Sequence, residues 1–207
     1  MPSPDDGALL DRALDAFASR GYDAMSVREL ARDLDVSHNF VHQRFGSKER
    51  LWYAAVDRGF SRLAIDLISE PEEPSDPDGA AATDLERLRA MVLRYVVSMA
   101  SHPALLRVIA TEAALPGPRL DHLYERYIDP VRVFGQDLLD RLHEAGQVRT
   151  ASVGLLFFLM TYGAAGSTAL PELGARFGAE GVSTDPDVAR RRAEEAVAVI
   201  FDGLALE

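Results

Sequence analysis

The sequence predicts an all-α protein, from three observations. Apolar residues recur three and four positions apart along most of the 207 residues, which is the helical period. No stretch alternates apolar and polar residues with period two, and no hairpin signal joins two such stretches. Two sequences of the form Ser/Thr-x-x-Glu, Ser26 to Glu29 and Thr83 to Glu86, stand directly ahead of apolar-periodic runs, where a capping box starts a helix. About nine helices are expected, with no internal repeat.

The first helix is expected from Ser3 or Asp5 to Arg20. Ser3 caps it, Pro4 takes the first helical position, and Gly21 ends it. Leu10, Ala13, Leu14, Phe17 and Ala18 form its buried stripe. The second opens at Ser26 and buries Val27, Leu30, Ala31 and Leu34. Asp35 and Val36 continue a helix poorly, and Ser37 is a good new N-cap. A helix of about two turns follows, with Phe40, Val41 and Phe45 apolar, and Gly46 stops it where a left-handed residue is wanted. A long helix then runs to about Ser69.

Residues 70–82 hold three prolines and five acidic side chains and read as a solvated linker. Thr83 starts the next helix, with Leu85, Leu88, Val92, Tyr95 or Val96, and Met99 on its inner side. His102-Pro103 breaks it, a short helix covers Ala104 to Leu115, and Pro116-Gly117-Pro118 breaks the chain again. A helix over Arg119 to Ala145 contains Pro130, which should kink or split it. The eighth predicted helix, about 152–170, is apolar all round through its middle and so needs cover on two sides. A Gly-rich connection over 171–184 leads to a ninth helix opening at Asp185-Pro186.

Composition sets bounds. The chain is long enough for one large or two small domains with a real core. It has no cysteine, hence no disulfide, thiol nucleophile or Cys-based metal site. No apolar run reaches the roughly 20 residues of a membrane span, and no secretory signal opens the sequence, so a cytoplasmic protein is expected. The net charge of −11 at first argues against a nucleic-acid partner, but it is unevenly spread. Within 36–58, Arg44, Lys48, Arg50 and Arg58 outnumber Glu49 and Asp57.

The short third helix is a poor core element with a hydrogen-bonding side: His38, Asn39, His42, Gln43 and Arg44. A helix of this diameter fits the major groove, where such side chains meet base edges. Residues 9–58 resemble the N-terminal DNA-binding domain of TetR-type transcriptional regulators. The likeness lies in Leu9-Leu10 through Phe17-Ala18-Ser19-Arg20-Gly21-Tyr22, Ser26-Val27-Arg28-Glu29-Leu30-Ala31, Val36-Ser37, and Arg44-Phe45-Gly46-Ser47-Lys48-Glu49. Such a resemblance implies a helix-turn-helix DNA-binding domain over 1–48, its motif at about 26–46. It also implies a ligand-binding and dimerisation domain over 49–207. The implied protein is a homodimeric, ligand-responsive repressor on a palindromic operator, paired through the eighth and ninth predicted helices.

Candidate base contacts are Asn39 and Gln43, with His38 and Arg44 close behind and Phe40 placed to meet a thymine methyl or to pack inward. Ser26, Arg28, His42 and Lys48 are candidate phosphate contacts, with Ser37 at the cap of the same helix. Phe40 and His42 depart from the family, which often has a small residue or Thr, and Tyr, there. An effector pocket is expected among Tyr95, Met99, His102, Tyr124, Tyr127, Phe134, Phe158, Met160 and Tyr162, suited to a small hydrophobic or aromatic molecule. No cofactor is expected. His38-x-x-x-His42 has zinc-compatible spacing but no third ligand or general base, and His122-x-x-Glu125 is no stronger, so no enzyme is expected. The remaining alternative is an all-helical protein–protein adaptor that has lost DNA binding.

Overall fold

The computed structural model describes residues 4–68, 83–176 and 186–205. The expected linker at 70–82, the Ser3 cap, the side chain of His38 and the end of the Gly-rich connection lie outside the described residues. Every regular element among those described is helical: α1 Pro4–Arg20, α2 Val27–Asp33, α3 His38–Phe45, α4 Lys48–Ile68, α5 Asp84–Ala100, α6 Pro103–Glu112, α7 Pro118–Leu123, α8 Asp129–Glu144, α9 Val153–Phe158, α10 Gly166–Ala169, α11 Pro171–Arg176 and α12 Pro186–Leu204. No helix among them is long and apolar enough to cross a membrane.

Two compact units result. Unit 1 comprises Met1–Ile65 with His102–Leu123, and unit 2 comprises Asp66–Ser101 with Tyr124–Glu207. The expected division at 48/49 follows the DNA-binding motif; the packing follows a different line. It returns α6 and α7 to the N-terminal helices and keeps α4 with them through Ile65.

Within unit 1, α1 buries the stripe read from sequence, Leu10, Ala13, Leu14, Phe17 and Ala18. It packs along α6, whose Leu105, Leu106, Val108 and Ile109 are buried. Gly59 lets α4 into the same contact: a Cβ there would come 2.8 Å from Leu14 Cδ2 and 2.9 Å from Leu105 Cδ2. On the outer side, Asp11 accepts from Arg58 (2.9 Å to Nε) and from Arg62 (2.9 Å) of α4. Burial pushes the Asp11 carboxyl up, but the hydrogen bond and charge of Arg58, with Arg62 beside it, hold it below its ordinary value.

The turn between α2 and α3 is a Schellman motif. Val36 N–H donates to Ala31 O (2.9 Å) and Asp35 N–H to Arg32 O (3.1 Å). Asp35 occupies the left-handed position usually held by glycine, at φ 57°. Sequence reading saw only a poor helix continuer there. A short polar side chain tolerates this backbone better than most.

In unit 2 the core gathers Leu88, Val92 and Val96 of α5, Leu138, Leu139 and Leu142 of α8, Leu156 of α9, and Ala193, Val197 and Leu204 of α12. The two long helices expected at 119–145 and 152–170 are each interrupted by a π turn, over Tyr124–Ile128 and Leu159–Ala164. The first lies just ahead of Pro130, at the start of α8, where the missing N–H falls in a first turn and costs nothing. Counting a helix that runs on through a π turn as one gives ten among the described residues. The addition to the expected nine is α11, inside the stretch read as a connection. Pro171 supplies its first turn, and Gly174 N–H bonds Leu170 O at 2.9 Å.

Tyr95 bonds Thr161 across this core, Oη to Oγ1 at 2.7 Å, and Thr161 is fully buried. Burial pushes the Tyr95 phenol up to about 12, with the Thr161 bond a smaller opposing influence.

Two predictions follow for stability. Asp35→Val should cost about 1–2 kcal/mol, because a β-branched residue resists the left-handed region, while Asp35→Gly should cost nothing; thermal unfolding distinguishes them. Tyr95→Phe should cost about 1–2 kcal/mol through the orphaned Thr161 hydroxyl. Because the folded pKa lies above the unfolded value of about 10, the Tyr95 contribution is complete below pH 10 and lost as pH rises towards 12. The phenylalanine variant should lack that share of the alkaline slope.

Candidate nucleic-acid interface

The α2–α3 pair is built by caps and a small apolar contact. Ser26 Oγ accepts from Glu29 N–H (3.2 Å) and Glu29 Oε2 accepts from Ser26 N–H (2.8 Å), the complete capping box. These bonds hold the Glu29 carboxyl below its ordinary value. Ser37 stands at the N-cap of α3 but makes no side-chain cap bond, so the expected capping role is filled by position alone. Gly46 closes α3 at φ 81°, its N–H on His42 O at 3.0 Å.

On α3, Val41 is completely buried while Phe40 and Phe45 are half-buried. Asn39, His42 and Gln43 are exposed and, at spacings of three and four, share one face. Ser37, Ser26 and Arg28 are exposed as well. His42 donates from Nδ1 to Gly46 O at 3.1 Å. The carbonyl can only accept, so Nδ1 carries the proton.

Two nominated cations are engaged inside the protein. Lys48 Nζ donates to Tyr22 O (2.7 Å) and Met25 O (2.6 Å) and lies 4.0 Å from the centre of the Tyr22 ring. Burial lowers its pKa. Arg44 sets its guanidinium fork on Asp6 of α1, Nε to Oδ1 at 3.2 Å and Nη2 to Oδ2. Asp6 is only 7% exposed. Arg58, a third cation counted in the positive stretch, is held by Asp11. Arg50, which sequence reasoning did not nominate, is exposed in the first turn of α4, where Ser47 Oγ accepts its N–H at 3.1 Å.

Sequence reasoning also missed Arg119 of α7. Its guanidinium lies 3.8 Å from the centre of the Tyr22 ring, bonds Glu112 at 2.7 Å and reaches Asp23 at 3.5 Å. Tyr22 thus carries two cations on its π-system. Nearby, His122 Nε2 and Asp57 Oδ1 are 2.6 Å apart, so the His122 of the weak His-x-x-Glu pattern is engaged with α4.

The nine residues nominated for an effector pocket are scattered. His102 stands at the N-cap position of α6 in unit 1 without a side-chain cap bond. In unit 2, Met99 is buried, and Tyr95 and Met160 pack against the core. Tyr127 is half-buried and accepts from Arg126 Nε at 3.1 Å. Tyr124, Phe134, Phe158 and Tyr162 stand at the surface, 39–61% exposed. Only Tyr95, Met99 and Met160 have an interior environment of the kind expected. A shallow groove in unit 2, lined by Leu85, Arg89, Val148 and Phe201 among others, includes none of the nine.

Lys48→Met should therefore do more than remove a surface charge. Two carbonyls lose a charged donor, and unit 1 should lose about 2 kcal/mol. Thermal unfolding without DNA reads this directly; an unchanged midpoint would place Lys48 on the surface only.

Comparison with known proteins agrees with this geometry. Residues 9–55 match the family described as bacterial regulatory proteins, tetR family. The HTH-type transcriptional regulator BetI of Rhizobium meliloti is 34% identical over 85 residues, 41% of this chain and 38% of that protein. The HTH-type transcriptional repressor Rv3405c of Mycobacterium tuberculosis is 40% identical over 63 residues, 30% of this chain and 34% of that protein. The chain thus matches little more than a third of either relative's length. Similar folds over nearly the whole chain occur in the ketosteroid transcriptional regulator KstR2 of Mycobacterium tuberculosis (23% identity, TM-score 0.67, 100% of this chain and 97% of that one) and in PfmR of Thermus thermophilus (21% identity, TM-score 0.62, 100% of both). The motif, its Ser26 capping box and the matched segment coincide: it is residues 9–55 of this chain that match the tetR family of bacterial regulatory proteins.

Proposed function

We propose that the protein is a DNA-binding transcriptional regulator, a ligand-responsive repressor that reads a palindromic operator as a homodimer. One observation carries the reading: a helix-turn-helix whose second helix turns Asn39, His42 and Gln43 to solvent while Val41 anchors its other side. Asn39 and Gln43 suit adenine edges in the major groove. Arg28 and Arg50, both exposed, are the phosphate contacts. Ser26 supports the motif as the cap of α2, and Lys48 through its bonds to the Tyr22 and Met25 carbonyls. Nothing observed favours the adaptor.

The homodimer reading draws on an apolar surface. Leu155, Phe158, Leu159 and Tyr162 recur three and four apart through α9 and the following π turn, each at least 39% exposed, and Phe158 stacks on Tyr162 at 5.9 Å. Val199 of α12 is 73% exposed. Such a stripe is the signature of a covered face, here the face between two copies. Two recognition helices on a two-fold axis would then sit about one DNA turn apart, ~34–36 Å. The effector is a small hydrophobic molecule taken up in unit 2, where Tyr95 and Thr161 offer hydroxyl groups among apolar neighbours. It must bind the DNA-competent and DNA-incompetent states with different affinities to act.

The test is selection of bound duplexes from a random library, with Asn39→Ala/Gln43→Ala in parallel. An enriched palindrome, lost in the double variant, is the expected result. No enrichment at low salt from a folded dimer would sink the regulator reading and leave the adaptor. For the dimer, Phe158→Asp should yield monomer in sedimentation and, with it, a large loss of operator affinity at unchanged helix content.

A further inference from the structure

Arg44 sits in the last turn of α3 with a half-exposed side chain, and a cation there invites assignment to DNA. Its geometry says otherwise. The guanidinium presents its fork to the Asp6 carboxylate through Nε and Nη2, the planar two-bond arrangement that a guanidinium makes and an ammonium does not. Asp6 is on α1 and almost wholly buried, so it has little water to replace its partner. A phosphate approaching Arg44 would meet a cation already compensated, with a carboxylate behind it. Meanwhile α3 packs on α2, and the Arg44–Asp6 pair ties its last turn to the longer α1.

We propose that Arg44 is a positioning residue for DNA reading: its guanidinium stays on Asp6 in the bound state, and the pair sets the angle at which α3 presents Asn39 and Gln43 to the bases. This rests on the DNA-binding reading above. It differs from a contact role in what depends on it. A phosphate contact adds affinity for every duplex and steepens the salt dependence, by about 0.9 in the slope of log K against log salt. A positioning pair governs the specific duplex and leaves that slope alone.

The experiment titrates the full-length protein with its selected duplex and with a scrambled one between roughly 50 and 200 mM salt. The variants are Arg44→Gln, Arg44→Lys, Asp6→Asn and the pair Asp6→Asn/Arg44→Gln, each checked for helix content and dimer state. Arg44→Lys keeps a cation on the buried carboxylate, and so keeps the test open if Arg44→Gln fails to fold. Expected are losses of about tenfold or more on the selected duplex for Arg44→Lys and Asp6→Asn alike. The scrambled duplex should be bound as before, the slopes should be those of the unmodified protein, and the double variant should be no weaker than the weaker single one. The proposal is overturned if Arg44→Lys binds as the unmodified protein does. It is equally overturned if Asp6→Asn is neutral or tightens binding, or if Arg44→Gln lowers the slope by about 0.9 on both duplexes. Absence of salt-dependent binding by the unmodified protein is a separate result: it removes the DNA-binding reading itself, and this proposal with it.

Discussion

Everything at the helix-turn-helix end depends on holding one small helix still. Helix α3 has eight residues and, among its described side chains, buries one completely, Val41. Burying a valine contributes about 2 kcal/mol, while fixing eight backbone residues costs on the order of 10 kcal/mol. Its apolar contact with α2 cannot set its orientation alone. The polar fasteners around it supply the rest: the capping box at Ser26, the Schellman turn at Asp35, the Gly46 stop, and the cations Arg44 and Lys48 drawn inward. A helix free to offer its outer face to a groove must be held by its ends and its neighbours.

Tyr22 is the hub of that arrangement. Its carbonyl takes a bond from Lys48, and its ring stacks on Phe17 at 5.9 Å and lies under both Lys48 and Arg119. Arg119 belongs to a segment nearly a hundred residues further along. Through it, α6 and α7 are part of the same compact unit as the motif. The Asp57–His122 contact adds a second polar tie from that segment to α4. Residues 102–123 thus meet the N-terminal helices along α1, at Asp57 of α4 and at Tyr22, in the turn ahead of the helix-turn-helix.

Unit 2 is built on a different principle. Two of its helical runs continue through π turns rather than breaking. Pro130 lies just after one such turn, and the all-round apolar stretch at 153–162 holds the other. That stretch buries Leu156 and Thr161 and leaves Leu155, Phe158 and Leu159 outside. Internal packing satisfies one of its sides.

The sequence by itself determined the helical class, the two capping boxes, the helix stops at Gly21 and Gly46, and the buried stripe of α1. All of these rest on residues within about four positions of one another, which is the range over which helix hydrogen bonds, caps and periodicity act. The exposed face of Asn39, His42 and Gln43 was legible for the same reason. Tertiary structure alone decided where the charged side chains go. Nothing near Arg44 in sequence announces Asp6, thirty-eight residues earlier, and nothing near Lys48 announces the Tyr22 and Met25 carbonyls. A long flexible cation reads the same whether it ends on a phosphate or on its own protein. The packing likewise decided that α6 and α7 join the N-terminal unit, and that surface rather than cavity receives Phe134, Phe158 and Tyr162. Helical period says which side of a helix is apolar, but not which neighbour, if any, covers it.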